Sequence, residues 1–492
     1  MFEVGSRKPS AQIKNQKSKI TLPVGGFTSA IVLLSVCFCG VSLGDLAQRL
    51  VKAVGAQQEA EAYSIQIIEP NSGTVVYSHN AHKPLMPASN MKLVTTAAAL
   101  KYLGADFEYR TRVGWQNGAL VVIGSGDPLL GDKSTDDRYE RPSGWIFEKI
   151  VQALRAQSIS EVNDVVIDTT VFDDERVHPS WPAKDYNKWF ACEVCGLNYN
   201  DNCVEVSASN RGDSVAINIE PRTAFVQIIN EVEPVMEGDS AIGANRTQQP
   251  NKITLFGKCK NREGPFRVAI EQPAAFFGVC LAEHLARAGI MPKGRLLEKA
   301  VSMEGDFKLL VEFRTPLADC IRRANTDSLG LAAEALLKTI DAHKKPDRKN
   351  GGWTGGREWI AKFLTDLDIP AEEFVIDDGS GLSRHNRLTT YALSKILLDL
   401  YRSKNWELFQ ASLAVAGEEG TIDKYFNETK YRGKIHAKTG YISGVRALSG
   451  VCLTDTGPYL FSVLSNGPKG LSRDAINNVA KAIIDDHAAN GK

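Results

Sequence analysis

The chain has 492 residues, and its 58 Lys+Arg balance its 58 Asp+Glu to a formal net charge of zero. A neutral chain with no basic stripe interleaved with aromatics gives no support to nucleic-acid binding, and 43% hydrophobic with 24% charged residues is the composition of a folded globular protein, not a disordered one. At this length one ordinary core does not suffice, so two or three domains are expected.

Residues 1–23 carry Arg7, Lys8, Lys14, Lys17 and Lys19 against one acid, Glu3, and residues 24–44 carry no charge. A basic run followed by an apolar one reads as an export signal. The apolar run is also about long enough to span a bilayer, with the basic flank on the cytoplasmic side. Residues 1–44 are therefore expected to be an export signal or a membrane anchor, with the bulk of the chain in the periplasm or an equivalent extracytoplasmic space.

Residues 45–60 read as a helix. Residues 63–68 alternate as a strand, Asn71-Ser72-Gly73 makes a turn, and residues 74–77 return as the second strand of a hairpin. Ser89-Asn90-Met91-Lys92 then opens an Ala-rich segment, residues 93–100, with no charge on any face, the pattern of a buried helix. Residues at i and i+3 share a helix face, so the Lys92 amine reaches the Ser89 hydroxyl. A free lysine titrates near ~10.4, but burial lowers that value, and a neutral amine can activate a serine without histidine.

From about Gly114 to Ser302 the texture changes to short β-rich runs at residues 120–123, 164–168, 204–206, 215–219, 252–256 and 266–270, separated by Gly, Asn and Asp turns. Helical patterns interrupt at residues 144–156 and 273–288. This is expected to be a β-rich insert, of one or two small domains. Gly124-Ser-Gly-Asp-Pro128 lacks the following helix and lysine of a phosphate loop and reads as a tight turn. Beyond Cys37 and Cys39 there are seven cysteines, an odd number, so at least one thiol is free or pairs outside the chain. Cys192-x-x-Cys195 with Cys203 has no second pair at metal spacing, which favours a disulfide or buried thiols over zinc. No metal or cofactor is expected.

From Leu310 helical patterns return, at residues 317–323, 329–343, 359–367, 390–401 and 406–413, with residues 344–356 read as a polar Gly-rich loop. Lys438-Thr439-Gly440 precedes two alternating runs, residues 447–453 and 459–465, read as antiparallel strands, and residues 474–488 read as a final amphipathic helix. On a strand edge beside the Ser89 helix, Lys438 would supply a fixed cation, Thr439 a hydroxyl donor and Gly440 room for a substrate backbone. A peptide C-terminal carboxylate suits that set, the peptide adding as a further strand. Ser-x-x-Lys, Ser-Asp-Asn and Lys-Thr-Gly occur together in serine acyl-transfer sites; the middle element here is Asn325-Thr326-Asp327-Ser328-Leu329-Gly330. His436, near the third motif, reads as a structural histidine.

With these motifs in order, the chain resembles the penicillin-binding D-alanyl-D-alanine carboxypeptidases and endopeptidases of peptidase family S13, the class C type, from about Asp45 to near the C-terminus. The resemblance rests on PASNMKLVTTAAAL around Ser89, GSGDPLL around Asp127, FDDERVHPSWP around Trp181, LNYNDNCVEV around Asn202, NTDSLGLAAEALL around Ser328, DDGSGLSRHNRLT around Gly381 and AKTGYISGVRALSG around Lys438. It implies an α/β (α+β) fold of the serine β-lactamase/transpeptidase kind. An antiparallel sheet covered by helices would be built from residues 45–113 and 303–492 and interrupted by the insert at 114–302. It implies a serine-type D,D-carboxypeptidase or D,D-endopeptidase that trims peptidoglycan stem peptides through an acyl-enzyme and is blocked by β-lactams. By the same resemblance Ser89 is the nucleophile, Lys92 the base and Ser328 a proton relay. Lys438, Thr439 and Gly440 bind substrate, and the backbone N–H groups of Ser89 and Tyr441 form the oxyanion hole. One departure stands out: the third position of Ser-x-Asn is Gly330. Glycine can neither contact the substrate amide nor hold the lysine, and this raises the alternative of a non-catalytic or weakly active peptidoglycan-binding homologue.

Overall fold

The computed structural model describes residues 43–55 and 59–488. The expected export signal or anchor therefore lies almost wholly outside the described residues. Among those residues no helix is long and apolar enough to cross a membrane.

A six-stranded antiparallel sheet forms the centre of the unit that begins at Leu43. Its strands are β1 (Tyr63–Glu69), β2 (Thr74–His79), β3 (Ala414–Val415), β4 (Ile435–Ile442), β5 (Val445–Thr454) and β6 (Gly457–Asn466), in the order β3-β4-β5-β6-β1-β2. The first and last strands of the described residues thus meet in one sheet, β1 pairing with β6 from Tyr63↔Ser465 to Ile68↔Leu460. Residues 63–68 of β1 are all buried because helices cover both faces. On one face Ile65, Ile67, Leu448, Phe461 and Val463 pack with Leu46 and Leu50 of α1 (Leu43–Val54) and with Ile476 and Ile483 of the C-terminal helix, Arg473–Ala488. On the other, Ile68, Ala447, Val451, Leu460 and Leu464 share a core with α2 (Met91–Leu103), α3 (Leu317–Thr326), α4 (Gly330–Lys344), α5 (Trp353–Asp366) and α6 (Thr390–Tyr401). Over its first ten residues α2 leaves no face for water: every residue from Met91 to Leu100 is buried, Lys92 included.

The strands between α2 and α3 belong to other sheets. A five-stranded sheet contains Glu108–Gln116 and Lys308–Pro316 as antiparallel neighbours, and two three-stranded sheets lie in residues 203–269. Position 114 falls inside the strand Glu108–Gln116, which pairs with Lys308–Pro316 on one side and with Ala119–Ile123 on the other; the pairing with Lys308–Pro316 makes the neck of the region they enclose. The loop expected at residues 344–356 is shorter, since α5 already begins at Trp353. Its glycines serve helix packing, not flexibility: a Cβ on Gly355 would lie 2.1 Å from Asp341 Oδ1 and one on Gly356 2.2 Å from Leu337 Cδ2, both on α4. All seven cysteines of the described residues are buried free thiols, so no disulfide joins Cys192, Cys195 and Cys203.

Candidate active site

Ser89 sits in a tight turn, Ala88–Asn90, that runs into α2. Ala88 adopts φ +45°, a left-handed conformation unusual for a residue with a Cβ. Two glycines let other backbone segments close on this turn. A Cβ on Gly381, at φ +82°, would lie 1.8 Å from the Ala88 carbonyl oxygen. A Cβ on Gly440 would lie 2.8 Å from the Pro87 carbonyl oxygen and 3.2 Å from the Ser89 nitrogen. The strand β4 therefore lies directly against the nucleophile turn, and Asn90 fixes the junction by donating its Nδ2 to the Lys438 carbonyl at 2.9 Å.

Lys92 is buried and donates from Nζ to Ser89 Oγ at 3.2 Å and to the Ser380 carbonyl at 2.7 Å. Burial lowers its pKa to about 8, against the opposing charges of Glu334 and Asp378. Lys438 is buried as well, donating to the Thr439 carbonyl at 3.0 Å. Its amine is held well below the ordinary lysine range, first by burial and then by the nearby Lys92 charge, with Asp327 acting in the other direction. The repulsion between the two amines thus falls on Lys438, while burial depresses Lys92.

Two carboxylates that motif reading does not single out hold the loop against which Lys92 rests. Glu334 of α4, fully buried, accepts the backbone N–H of Gly379 at 3.0 Å and of Ser380 at 2.7 Å, and the Trp353 indole N–H at 2.8 Å. Asp378 accepts from the N–H groups of Gly381 and Ser383, from Asn386 Nδ2 and from the Trp181 indole. The sequence signals for them are the carboxylate-rich, turn-rich DDGSG run and a glutamate set within the Ala- and Leu-rich residues 331–337.

The outer edge of β4 is open. Its neighbour β3 pairs only with Ala437 and His436, so residues 438–442 carry no strand on that side among the described residues. Thr439 donates its hydroxyl to Thr421 Oγ1 at 2.8 Å. Tyr441 is 61% exposed, and its ring lies under the Arg446 guanidinium. Ser89, Lys92, Lys438, Thr439, Gly440 and Tyr441 are therefore in one place.

Ser328 is half-buried in the turn between α3 and α4 at φ +61°, and no hydrogen bond reaches its hydroxyl among the described residues. Asn325 cannot stand in for a missing Asn at 330. It is fully buried, and its amide is engaged by Thr96 Oγ1 at 3.2 Å and Ser412 Oγ at 2.9 Å. Gly330 has its own steric reason: a Cβ there would lie 3.0 Å from the Phe190 carbonyl oxygen.

Comparison with known proteins bears on this geometry. The model of the D-Ala-D-Ala carboxypeptidase 3 (S13) family matches residues 46–490. A D-alanyl-D-alanine carboxypeptidase of Actinomadura sp. (strain R39) is 26% identical over 457 residues, 87% of this chain and 82% of the relative. The D-alanyl-D-alanine carboxypeptidase DacB of Haemophilus influenzae is 24% identical over 458 residues, 88% of this chain and 89% of the relative. In fold, the crystal structure of penicillin binding protein 4 (dacB) from Haemophilus influenzae superposes with a TM-score of 0.73 at 21% identity, covering 91% of this chain and all of the other. The same protein complexed with a β-lactam superposes at 0.68, with 20% identity, 91% of this chain and 99% of the other covered.

Proposed function

Since the chain belongs to the D-Ala-D-Ala carboxypeptidase 3 (S13) family, we propose that it is a serine D,D-carboxypeptidase/D,D-endopeptidase. It would trim peptidoglycan stem peptides through an acyl-enzyme and be acylated by β-lactams. The observation that carries this reading is the 3.2 Å contact of Lys92 Nζ with Ser89 Oγ, with the Lys438–Tyr441 edge against the same turn. In the proposed mechanism Lys92, neutral, takes the Ser89 proton as Oγ attacks the penultimate D-Ala carbonyl. The substrate carboxylate binds Lys438 and the Thr439 hydroxyl, and that anion restores the Lys438 charge. A charged Lys438 in turn favours the neutral form of Lys92. The N–H groups of Ser89 and Tyr441 receive the developing oxyanion, a contribution of about 10²–10³ in rate for one such donor. The C–N bond breaks, and the leaving amine takes the proton held on Lys92, with Ser328 the proposed relay. Water then hydrolyses the ester, Lys92 again acting as base, and frees Ser89.

The region 114–302 is proposed as an inserted unit, a reading supported by the pairing of its strands with each other and with the neck, never with the central sheet. Residues 1–44 are proposed to export or anchor the protein, on the strength of their charge pattern, so that catalysis takes place outside the cytoplasmic membrane.

The assay is D-Ala release from a synthetic stem peptide ending in D-Ala-D-Ala, with Ser89→Ala as control. Release by the parent alone supports the proposal. No release by the parent, or equal release by both, contradicts it.

A further inference from the structure

Arg446 is a half-buried cation with nothing to bind. It stands in β5 directly opposite Tyr441 of β4, and its guanidinium lies 5.0 Å from the centre of the Tyr441 ring. Beyond that contact it makes no ion pair and donates no hydrogen bond among the described residues. Other half-buried arginines of the chain are engaged: Arg112 rests on Glu312, Arg176 on Glu298 and Arg357 on Asp377. A guanidinium presents five N–H donors, and those of Arg446 are left for a ligand.

Direct cross-strand neighbours share a face of a sheet, and so do residues two apart on one strand. Thr439 and Tyr441 of β4 therefore face the same way as Leu448 and Arg446 of β5, which stand opposite them. Gly440 faces the other way, towards Ser89. Thr439 and Arg446 are diagonal neighbours, a relation that spans about 7–8 Å and lies within reach of a long side chain. The Tyr441 ring beneath the guanidinium holds it near this edge without using its donors.

A cavity of about 120 Å³ joins the two positions, with Thr439, Tyr441 and Arg446 on its wall. The C-terminal helix adds a second cation, Arg473, which donates to the Tyr425 hydroxyl. No carboxylate stands on that wall among the described residues. Two cations without a counter-charge around so small a volume make a field that favours one anion.

The substrate brings an anion to this edge. In the proposed reaction its carboxylate meets Lys438 and the Thr439 hydroxyl. Lys438 alone is a costly anchor, since its amine is fully buried and feels the Lys92 charge. A guanidinium keeps its charge through neutral and alkaline pH, and its fork matches the two oxygens of a carboxylate.

We infer that Arg446 is a further substrate-anchoring residue, its guanidinium taking the carboxylate next to the scissile bond together with the Thr439 hydroxyl. The inference rests on the proposed acyl-enzyme reaction and adds no bond-making or bond-breaking step to it.

The test uses the full chain and two ligand pairs that differ only at the carboxylate: a penicillin with its methyl ester, and a stem peptide ending in D-Ala-D-Ala with its C-terminal amide. In Arg446→Gln, acylation by the free acid is expected to fall about tenfold to a hundredfold, the range of a lost hydrogen bond to a charged group. Acylation by the ester should stay within about threefold of the parent. The peptide pair should lose its preference for the acid over the amide in kcat/KM, mainly through KM. A structural role would lower both members of a pair alike. Equal falls within each pair, or preferences unchanged from the parent, overturn the inference and leave the acyl-enzyme reaction standing. A parent that is acylated by neither ligand and cleaves neither peptide overturns both. Should Arg446→Gln fail to fold, Arg446→Lys decides, since it keeps the charge and loses the fork. A preference lowered about threefold or more at an unchanged ester rate supports the anchor, and an unchanged preference refutes it.

Discussion

Replacing Lys92 by methionine separates what the lysine costs the fold from what it gives the reaction. The amine titrates at about 8 in the folded chain against 10.5 for an ordinary lysine. At ~1.36 kcal/mol per pH unit that gap corresponds to about 3 kcal/mol of lost stability. The sign follows from proton counting. Between about 8 and 10.5 the unfolded chain holds a proton that the folded chain has released, so stability rises with pH in that window. Below about 8 both states are protonated and the whole cost is present. Methionine removes the cost but leaves the Ser380 carbonyl without its donor and Glu334 and Asp378 without a nearby cation, which returns about 1–2 kcal/mol. Lys92→Met is therefore expected to be as stable as the parent at neutral pH, or up to ~2 kcal/mol more stable by urea unfolding, with the difference shrinking as pH approaches 10.5. Penicillin acylation of the same variant should fall by about 10²–10⁴, the usual contribution of a general base. In the parent, acylation should climb close to tenfold per pH unit up to about 8 and then level off, since only the neutral amine accepts the proton. Acylation in Lys92→Met within tenfold of the parent, or a flat parent profile below about 8, would refute the argument.

Glu334→Gln removes a charge that favours protonated Lys92. The pH–acylation midpoint should move below about 8 and the plateau rate should fall as the Ser380 loop loosens; a midpoint that moves upward contradicts this. Gly330→Asn places a Cβ 3.0 Å from the Phe190 carbonyl and should destabilise by about 1–3 kcal/mol without faster acylation; a stable variant with faster acylation would restore the view that glycine there costs activity. Ser328→Ala tests the relay: a fall of about 10² in turnover is expected, and a change under about threefold removes Ser328 from the mechanism. Gly381→Ala forces a Cβ within 1.8 Å of the Ala88 carbonyl, so acylation should drop with the nucleophile turn displaced; unchanged acylation means that the turn tolerates the shift.

The sequence disclosed the elements whose pattern is local. The apolar face-to-face run after Ser89 reads as the buried helix it forms, because a helix without a polar side has nowhere else to go. The alternating runs at β5 and β6 are equally plain. The neck strands Glu108–Gln116 and Lys308–Pro316 are not, since each finds its partner some two hundred residues away in the chain, although Arg110 and Arg112 alternate with the buried Tyr109, Thr111 and Val113. The start of α5 was hidden by Gly355 and Gly356, whose role is close approach to α4 and which local propensity marks as breakers. At the site, Ser89, Lys92 and the Lys438–Tyr441 edge were legible from motif spacing and resemblance. Glu334 and Asp378 were not, because their function is to hold backbone N–H groups of a loop that only tertiary structure brings to Lys92. The middle motif shows the limit of spacing alone: Ser328 lies in the turn between α3 and α4, yet among the described residues no hydrogen bond reaches its hydroxyl.

The claim on which the rest depends is that Ser89 becomes acylated because Lys92 and the β4 edge surround it. Intact mass measurement after incubation with a penicillin, followed by peptide mapping, tests it most directly. The account predicts one adduct, carried by the Ser89 peptide and absent in Ser89→Ala. No adduct on the parent, or one that persists in Ser89→Ala, would contradict it.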